Sequence, residues 1–426
     1  RSRRGESVLL LEAGDAVGGV VQTEVCDGFT LEWGASSLPS TAQHVAQLVS
    51  DLPDAPRLVA ADAAADKQYL MTASGLQVVP RSPPAFLRSD LLPASARARF
   101  LAEFTRPARR ADTPTGRRET LHAFVTRRFG PHVAETFLRP FTNGIYGAAP
   151  ERLGAADAFP VLAAMEARYG GVFRGLMRRA RSGKRAVQLV EGGMQRLPEA
   201  VATALGTRVR LESPVARVDA GSTARRPAVV LSGGERLEAR EIELAVPAPA
   251  QAALLRAAAP EVADGLASVQ YVPMLVLALG WKRTAGPVLP PAFGFLATRA
   301  GQLRILGATF RSCLDASLAP PDTSLVNVYV GGSEDPGALD LADEEVVRIA
   351  CRDLGYALGA KPQPTFSAIR RWPEAIPLFS PGHRGRMAAL QARLDEDRIR
   401  LSGSHITGVA IDRCVSPQAP LDAPLP

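Results

Sequence analysis

Hydrophobic and polar positions fall into short blocks along this chain, and the blocks change character twice. Val8-Leu9-Leu10-Leu11 is a continuous apolar run closing on Glu12, the pattern of a short strand buried on both faces. Phe29-Thr30-Leu31-Glu32 predicts a second strand, which runs into Trp33-Gly34-Ala35-Ser36-Ser37. Residues 41–52 read as a helix capped by Ser40 or Thr41. Tyr69-Leu70-Met71 and Leu76-Gln77-Val78-Val79 flank Thr72-Ala73-Ser74-Gly75, which predicts a hairpin. From Leu91 to Gly130 the spacing turns helical, with breaks at Pro107 and Pro114, and helical spacing persists over 133–138 and from about Gly154 to Arg181. Beyond an amphipathic helix over 194–205, alternation returns at 209–211, 215–218, 229–231 and 241–246, then at 271–281, 293–295, 304–306 and 325–330, and last at 369–372 and 399–401. Helices are expected after Pro247 and over 344–358 and 387–394. Helix-rich sequence over 80–185 between strand-rich flanks predicts a mixed α/β (α+β) fold.

A chain of 426 residues, 46% hydrophobic and 22% charged, can bury a large core in one large or two to three ordinary domains. No run of about 18 apolar residues appears, which excludes a spanning helix. The net charge of +7 would suit an acidic partner, yet no lysine-rich tract or interleaved aromatic run points to nucleic acid. Cys26, Cys313, Cys351 and Cys414 are scattered without C-x-x-C or Cys/His spacing, so neither a metal site nor a disulfide framework is expected.

Four stretches carry candidate chemistry. A carboxylate at the tip of a buried strand is costly unless something binds it, and in dinucleotide-binding sheets such an acid accepts hydrogen bonds from a ribose. Glu12 is placed for that role, and Gly18-Gly19 after it lets main chain approach a ligand. Leu401 to Ile411 is a glycine-punctuated turn after a strand, and Arg139 to Ala148 sets two glycines in an aromatic stretch. Val190 to Leu197 places Gly192-Gly193 at a helix entry. Taken singly each is ordinary, a strand end or a tight turn; their order is what matters.

Together they resemble the protoporphyrinogen oxidase family, oxygen-dependent and of bacterial type, within the FAD amine-oxidase-like superfamily. The matching stretches are LLLEAGDAVGGVVQTE, VVPRSPPAFLRSDLL, RPFTNGIYGAAPERL, EGGMQRLPEA, RWPEAIPLFSPGH and GSHITGVAID. The resemblance implies an incomplete Rossmann-like FAD-binding domain, a substrate sheet domain and a helical membrane-facing insert. FAD-binding parts would fall at 1–80 (with the start of the substrate domain), 186–250 and 376–426, the insert at 81–185 and the substrate domain at 251–375. The first strand and its G-x-G-x-x-G are not found, and Pro417, Pro420, Pro424 and Pro426 spoil the expected last helix, so truncation at both ends is expected.

For the cofactor FAD, the resemblance implies Glu12 and Ala13 at the ribose, Gly18, Gly19 and Val20 near the flavin, and Gly34, Ala35, Ser36 and Ser37 under the pyrophosphate and ring. Val215 would meet the adenine, Trp372 would stand beside the ring, and Val409, Ala410 and Ile411 would make the C-terminal contacts. Gly147 would let the substrate ring approach flavin N5. Arg81 or Arg88 would hold a tetrapyrrole propionate, since an arginine fork matches a carboxylate. Met274, Phe293, Phe295, Phe310 and Tyr329 would wall the macrocycle. The implied reaction is oxidation of protoporphyrinogen with O2 as acceptor, with the cofactor doing the hard step and no metal or acid–base dyad needed. The implied setting is cytoplasmic, peripheral to the inner membrane, with a homodimer as a compatible assembly and an organelle not excluded. Two alternatives stand beside it: a coproporphyrinogen III oxidase of the same family, and a non-catalytic remnant that does not retain FAD. A cage of lysine and aromatics, expected of an amine oxidase, is not seen.

Overall fold

The computed structural model describes residues 5–80, 82–108, 118–179, 186–222 and 225–416. Its largest element is a seven-stranded sheet. In spatial order the strands are Phe366–Pro377, Tyr271–Lys282, Thr323–Gly331, Gly307–Thr309, Gly294–Ala297, Gln68–Thr72 and Gly75–Val78. Neighbours run antiparallel except Gly294–Ala297 beside Gln68–Thr72.

Tyr271–Lys282 is apolar along nearly its whole length because both of its faces are covered. Leu275, Leu277 and Leu279 point to one face and pack with Val326, Val328 and Val330 under the helix Asp343–Leu358. Met274, Val276 and Ala278 point to the other and pack on Phe29, Leu31 and Trp33. Each such side chain contributes about 1.5–3 kcal/mol by leaving water.

Smaller units accompany the large sheet, and the first of them packs on its second face. Thr23–Cys26 and Phe29–Glu32 form a hairpin. Leu38–Pro39, Val187–Val190 and Leu58–Ala60 form a three-stranded sheet. Leu10–Leu11 runs parallel to Val209–Arg210, and Ile242–Leu244 runs parallel to Ile399–Leu401. Val215–Asp219, Ala228–Leu231 and Arg236–Glu238 make an antiparallel meander.

Residues 83–108 and 118–179 are mostly helical. Their core is aromatic, with Phe100 meeting Phe86, Phe129 and Phe173 at ring-centroid distances of 4.4–5.7 Å. Arg128 and Glu103 form a fully buried ion pair inside it, at 0% side-chain exposure for each partner. Such a pair is tolerated only when its remaining donors are matched. Arg128 also donates to the carbonyls of Arg106 and Pro107, and Glu103 accepts from the amides of Val172 and Phe173.

Two local expectations are corrected. Arg139–Tyr146 is a helix, entered through a widened turn at Ala134–Leu138, and Gly147 in left-handed conformation (φ +59°) ends it. The stretch is therefore not a turn between helices. The helix Gln43–Asp51 has Ala42 at its N-cap and no local side-chain cap. Asp412 caps it from 368 residues away, Oδ1 accepting from the amides of His44 and Val45 at 2.9 and 3.0 Å. A cap of that kind leaves no trace in the adjacent sequence.

Candidate active site

Glu12 stands at the carboxyl end of Leu10–Leu11. Its amide donates to Arg210 O at 3.0 Å, and its carbonyl accepts from the Ser213 amide at 2.8 Å. Carboxylate oxygen Oε1 accepts from the Gly14 amide at 2.9 Å, with Ala13 exposed between them. Two residues past Ser213, Val215 opens the next strand, so Glu12 and Val215 flank one strand end.

Gly18 and Gly19 both take positive φ, +121° and +58°, and fold the chain back so that the Val21 amide donates to Gly18 O. The bend delivers Val20 onto Gly34: a Cβ on Gly34 would lie 2.0 Å from Val20 O. The smallness of Gly34 thus makes room for a carbonyl of this chain, a nearer reason than the ligand clearance expected from sequence. Ala35 and Val21 join Ile411 in one apolar cluster with Leu38, Val45 and Met194. Ala410 caps the short helix Ile411–Cys414, and Val409 packs instead on the helical region. Three segments separated by hundreds of residues thereby meet at the glycine loop.

Glu32 and Arg311 lie behind this loop. Glu32 is 2% exposed and Arg311 1%. Burial pushes the Glu32 carboxyl above its usual range, against the pull of the Arg311 charge and the donors Met194 N and Thr23 Oγ1. Arg311 Nη1 donates to Ser36 O at 2.9 Å. Ser37 leads from there into the strand Leu38–Pro39. A cavity of about 800 Å³ is lined by Glu32, Ser36, Arg311, Arg283 and Gly193 among others.

Met274, Tyr329 and Trp372 share the second face of the large sheet. Met274 is paired with Trp372 and Gly331, and Val276 with Tyr329, which puts all three side chains on one side. Trp372 Nε1 donates to Trp33 O at 2.9 Å, fastening this face to the strand that becomes the Gly34–Ser37 loop. The Arg370 guanidinium lies over both indoles, 5.6 Å from Trp33 and 5.9 Å from Trp372. Gly147 meets the same place: a Cβ there would stand 2.7 Å from Met274 Cε and 3.0 Å from Val272 Cγ1. The close approach at Gly147 is therefore to this chain's own strand.

The phenylalanine expectation fails. Phe295 and Phe310 are 2% and 0% exposed and belong to the core under Asp343–Leu358, on the sheet face opposite Met274 and Tyr329. Register explains it, since Phe295 pairs with Ala308, which pairs with Val328, in phase with Leu277. Phe293 packs near Leu189 and Leu314, away from both. Arg88 is exposed at the end of the helix Pro83–Arg88, and Arg81 lies outside the described residues.

Sequence reasoning missed Arg311 and His405. Nothing in Phe310-Arg311-Ser312 marks a buried cation. His405 is wholly buried with neither ring nitrogen hydrogen-bonded among the described residues, and burial lowers its pKa to about 4. The neighbouring His383 places Nε2 2.7 Å from His405 O. Elsewhere His122, Glu135 and Glu151 converge, but Arg139 pairs with both carboxylates and occupies the place a cation would take.

A strand-tip carboxylate and a glycine loop with Val20 exposed (48%) are features that dinucleotide-binding sheets present to a cofactor. A Cβ on Gly19 would meet nothing within 4 Å, so open space adjoins the loop. These features fit FAD. The fold is that of a flavoprotein oxidoreductase. The flavin containing amine oxidoreductase family matches residues 2–416, and the chain belongs to that family. It is 28% identical to protoporphyrinogen oxidase 1, chloroplastic, of Arabidopsis thaliana, over 96% of this chain and 81% of that one. It is 25% identical to coproporphyrinogen III oxidase of Bacillus subtilis (strain 168), over 95% and 88%. A solved structure described as a "Putative protoporphyrinogen oxidase" from Exiguobacterium sp. 255-15 superposes with a TM-score of 0.78 at 23% identity, covering 96% of this chain and 90% of that one.

Proposed function

We propose that this chain oxidises protoporphyrinogen IX to protoporphyrin IX, with FAD as cofactor and O2 as acceptor. The observation that carries this reading is the bond from Trp372 to Trp33 O, which sets the apolar face of Met274 and Tyr329 beside the Gly34–Ser37 loop. The names of the relatives support a tetrapyrrole substrate class. Glu12 would hold the FAD ribose, with Val215 at the adenine. Gly18 to Val20, Gly34 to Ser37, Ala410 and Ile411 would surround the pyrophosphate and ring. Held by these residues, FAD would supply two-electron oxidation, and converting protoporphyrinogen IX to protoporphyrin IX would need three such rounds, each reducing one O2 to hydrogen peroxide. The protein's part is to orient the macrocycle against the flavin and to exclude water. Arg88 and Arg81 remain our candidates for a propionate.

Coproporphyrinogen III is the second reading, favoured by the likeness to the Bacillus subtilis enzyme. Steady-state porphyrin fluorescence with each substrate separates them: kcat/KM higher for protoporphyrinogen supports the first reading, and higher for coproporphyrinogen replaces it. We place the protein in the cytoplasm, in peripheral contact with the inner membrane through the helix Val172–Arg179, where Leu176 and Met177 are exposed beside Arg174 and Arg178. No helix among the described residues is long and apolar enough to cross a membrane.

A further inference from the structure

Glu32 and Arg311 are buried charges that the reaction above does not use. Burying either one costs several kcal/mol, so each needs something that repays it. Glu32 is tied to three elements. Its Oε1 accepts from the Met194 amide at 2.8 Å, just past Gly193, and its Oε2 accepts from Thr23 Oγ1 at 2.9 Å. Its main-chain carbonyl accepts from Asn327 Nδ2, at 2.9 Å, in the centre of the large sheet. Arg311 leaves that sheet at the start of a short helix and reaches Ser36 O. Its Nε is buried without a partner, so the guanidinium is held by the Ser36 carbonyl and the nearby carboxylate field rather than by a full set of bonds.

Between them these two side chains span both ends of the segment Trp33–Ser37. Glu32 fixes its entry, Arg311 fixes Ser36, and Val20 O closes over Gly34 from the other side. We propose that Glu32 and Arg311 are positioning residues that hold the Gly34–Ser37 main chain between the glycine loop and the substrate sheet. Through that main chain they set the affinity and surroundings of the flavin. The link to flavin rests on the placement of FAD given above; the positioning of the loop does not.

Two readouts separate those claims. Hydrogen–deuterium exchange on the apo-protein reads the loop directly. In Arg311→Met, exchange should rise in peptides covering 33–38 and stay unchanged in the distant helix Asp343–Leu358. Flavin fluorescence titration reads the link: Arg311→Met should weaken FAD binding by roughly tenfold and shift the visible absorption band of bound flavin. Arg311→Lys keeps the charge and should recover most of the affinity. Glu32→Gln combined with Arg311→Met removes both charges and should bind FAD better than Arg311→Met alone, because the lone buried carboxylate is what costs most. Val288→Ala, on the exposed rim of the cavity, should change nothing. Unchanged exchange at 33–38, or a rise spread over the whole chain, overturns the positioning role. Local exchange with unaltered FAD affinity and spectrum overturns the link to flavin. A wild-type chain that binds no FAD instead sinks the flavin placement, and the exchange result still decides the role of the pair.

Discussion

Gly34 and Val20 touch main chain to main chain: a Cβ on Gly34 would lie 2.0 Å from Val20 O. Backbone cannot step aside as a flexible side chain can, so Gly34→Ala must push the two segments apart. Bound FAD should fall by at least about tenfold, with a drop of about 2–3 kcal/mol in unfolding free energy. Gly75→Ala is the control for a glycine of positive φ (+93°) with open space around it, and should cost about 1 kcal/mol without touching FAD affinity.

Gly147→Ala meets Met274 Cε, the mobile end of a flexible side chain, as well as the left-handed conformation required to end its helix. The expected cost is about 1–3 kcal/mol in a urea titration. Met274→Ala in the same chain should recover part of it, and a double-mutant cycle with a coupling near zero would show that the two do not meet.

Arg128→Met leaves Glu103 buried without its partner. Removing one member of a buried pair costs roughly 3–5 kcal/mol. Limited proteolysis should then open the helical residues 83–108 and 118–179 first, while peptides from the large sheet stay protected.

His405 links stability to pH. Its folded pKa of about 4 lies below the ordinary 6.5 for histidine, so the unfolded chain binds the proton more readily. Stability is present in full above about pH 6.5 and is lost as pH falls towards 4, by about 3 kcal/mol from this residue alone. His383, whose pKa is also lowered by burial, adds to the loss in the same direction. Urea unfolding at pH 7.5 and 4.5 measures the difference, and His405→Phe should flatten it.

The apolar run Tyr271–Lys282 gave away its strand because its sheet is covered on both faces, whereas Val8–Leu11, read the same way, yields only the half-buried strand Leu10–Leu11 with Leu9 47% exposed. The family was legible in glycines and short motifs whose spacing survives at low identity. What failed was anything set by register or by distant contact. Phe295 and Tyr329 look alike in sequence, and only the offset of paired strands sends them to opposite faces. Asp412 caps a helix near the other end of the chain, and Arg311 is buried in a segment with no local mark of it. The sequence marks Gly34 for clearance of a ligand, and the group its missing side chain clears in the structure is Val20 O.

The most direct measurement is anaerobic mixing of the FAD-loaded protein with protoporphyrinogen, following flavin absorbance. The flavin band should bleach as porphyrin absorbance grows, admitting O2 should restore it with release of hydrogen peroxide, and Glu12→Ala should weaken FAD loading. Bound flavin that stays oxidised in the presence of substrate would contradict the proposed oxidation.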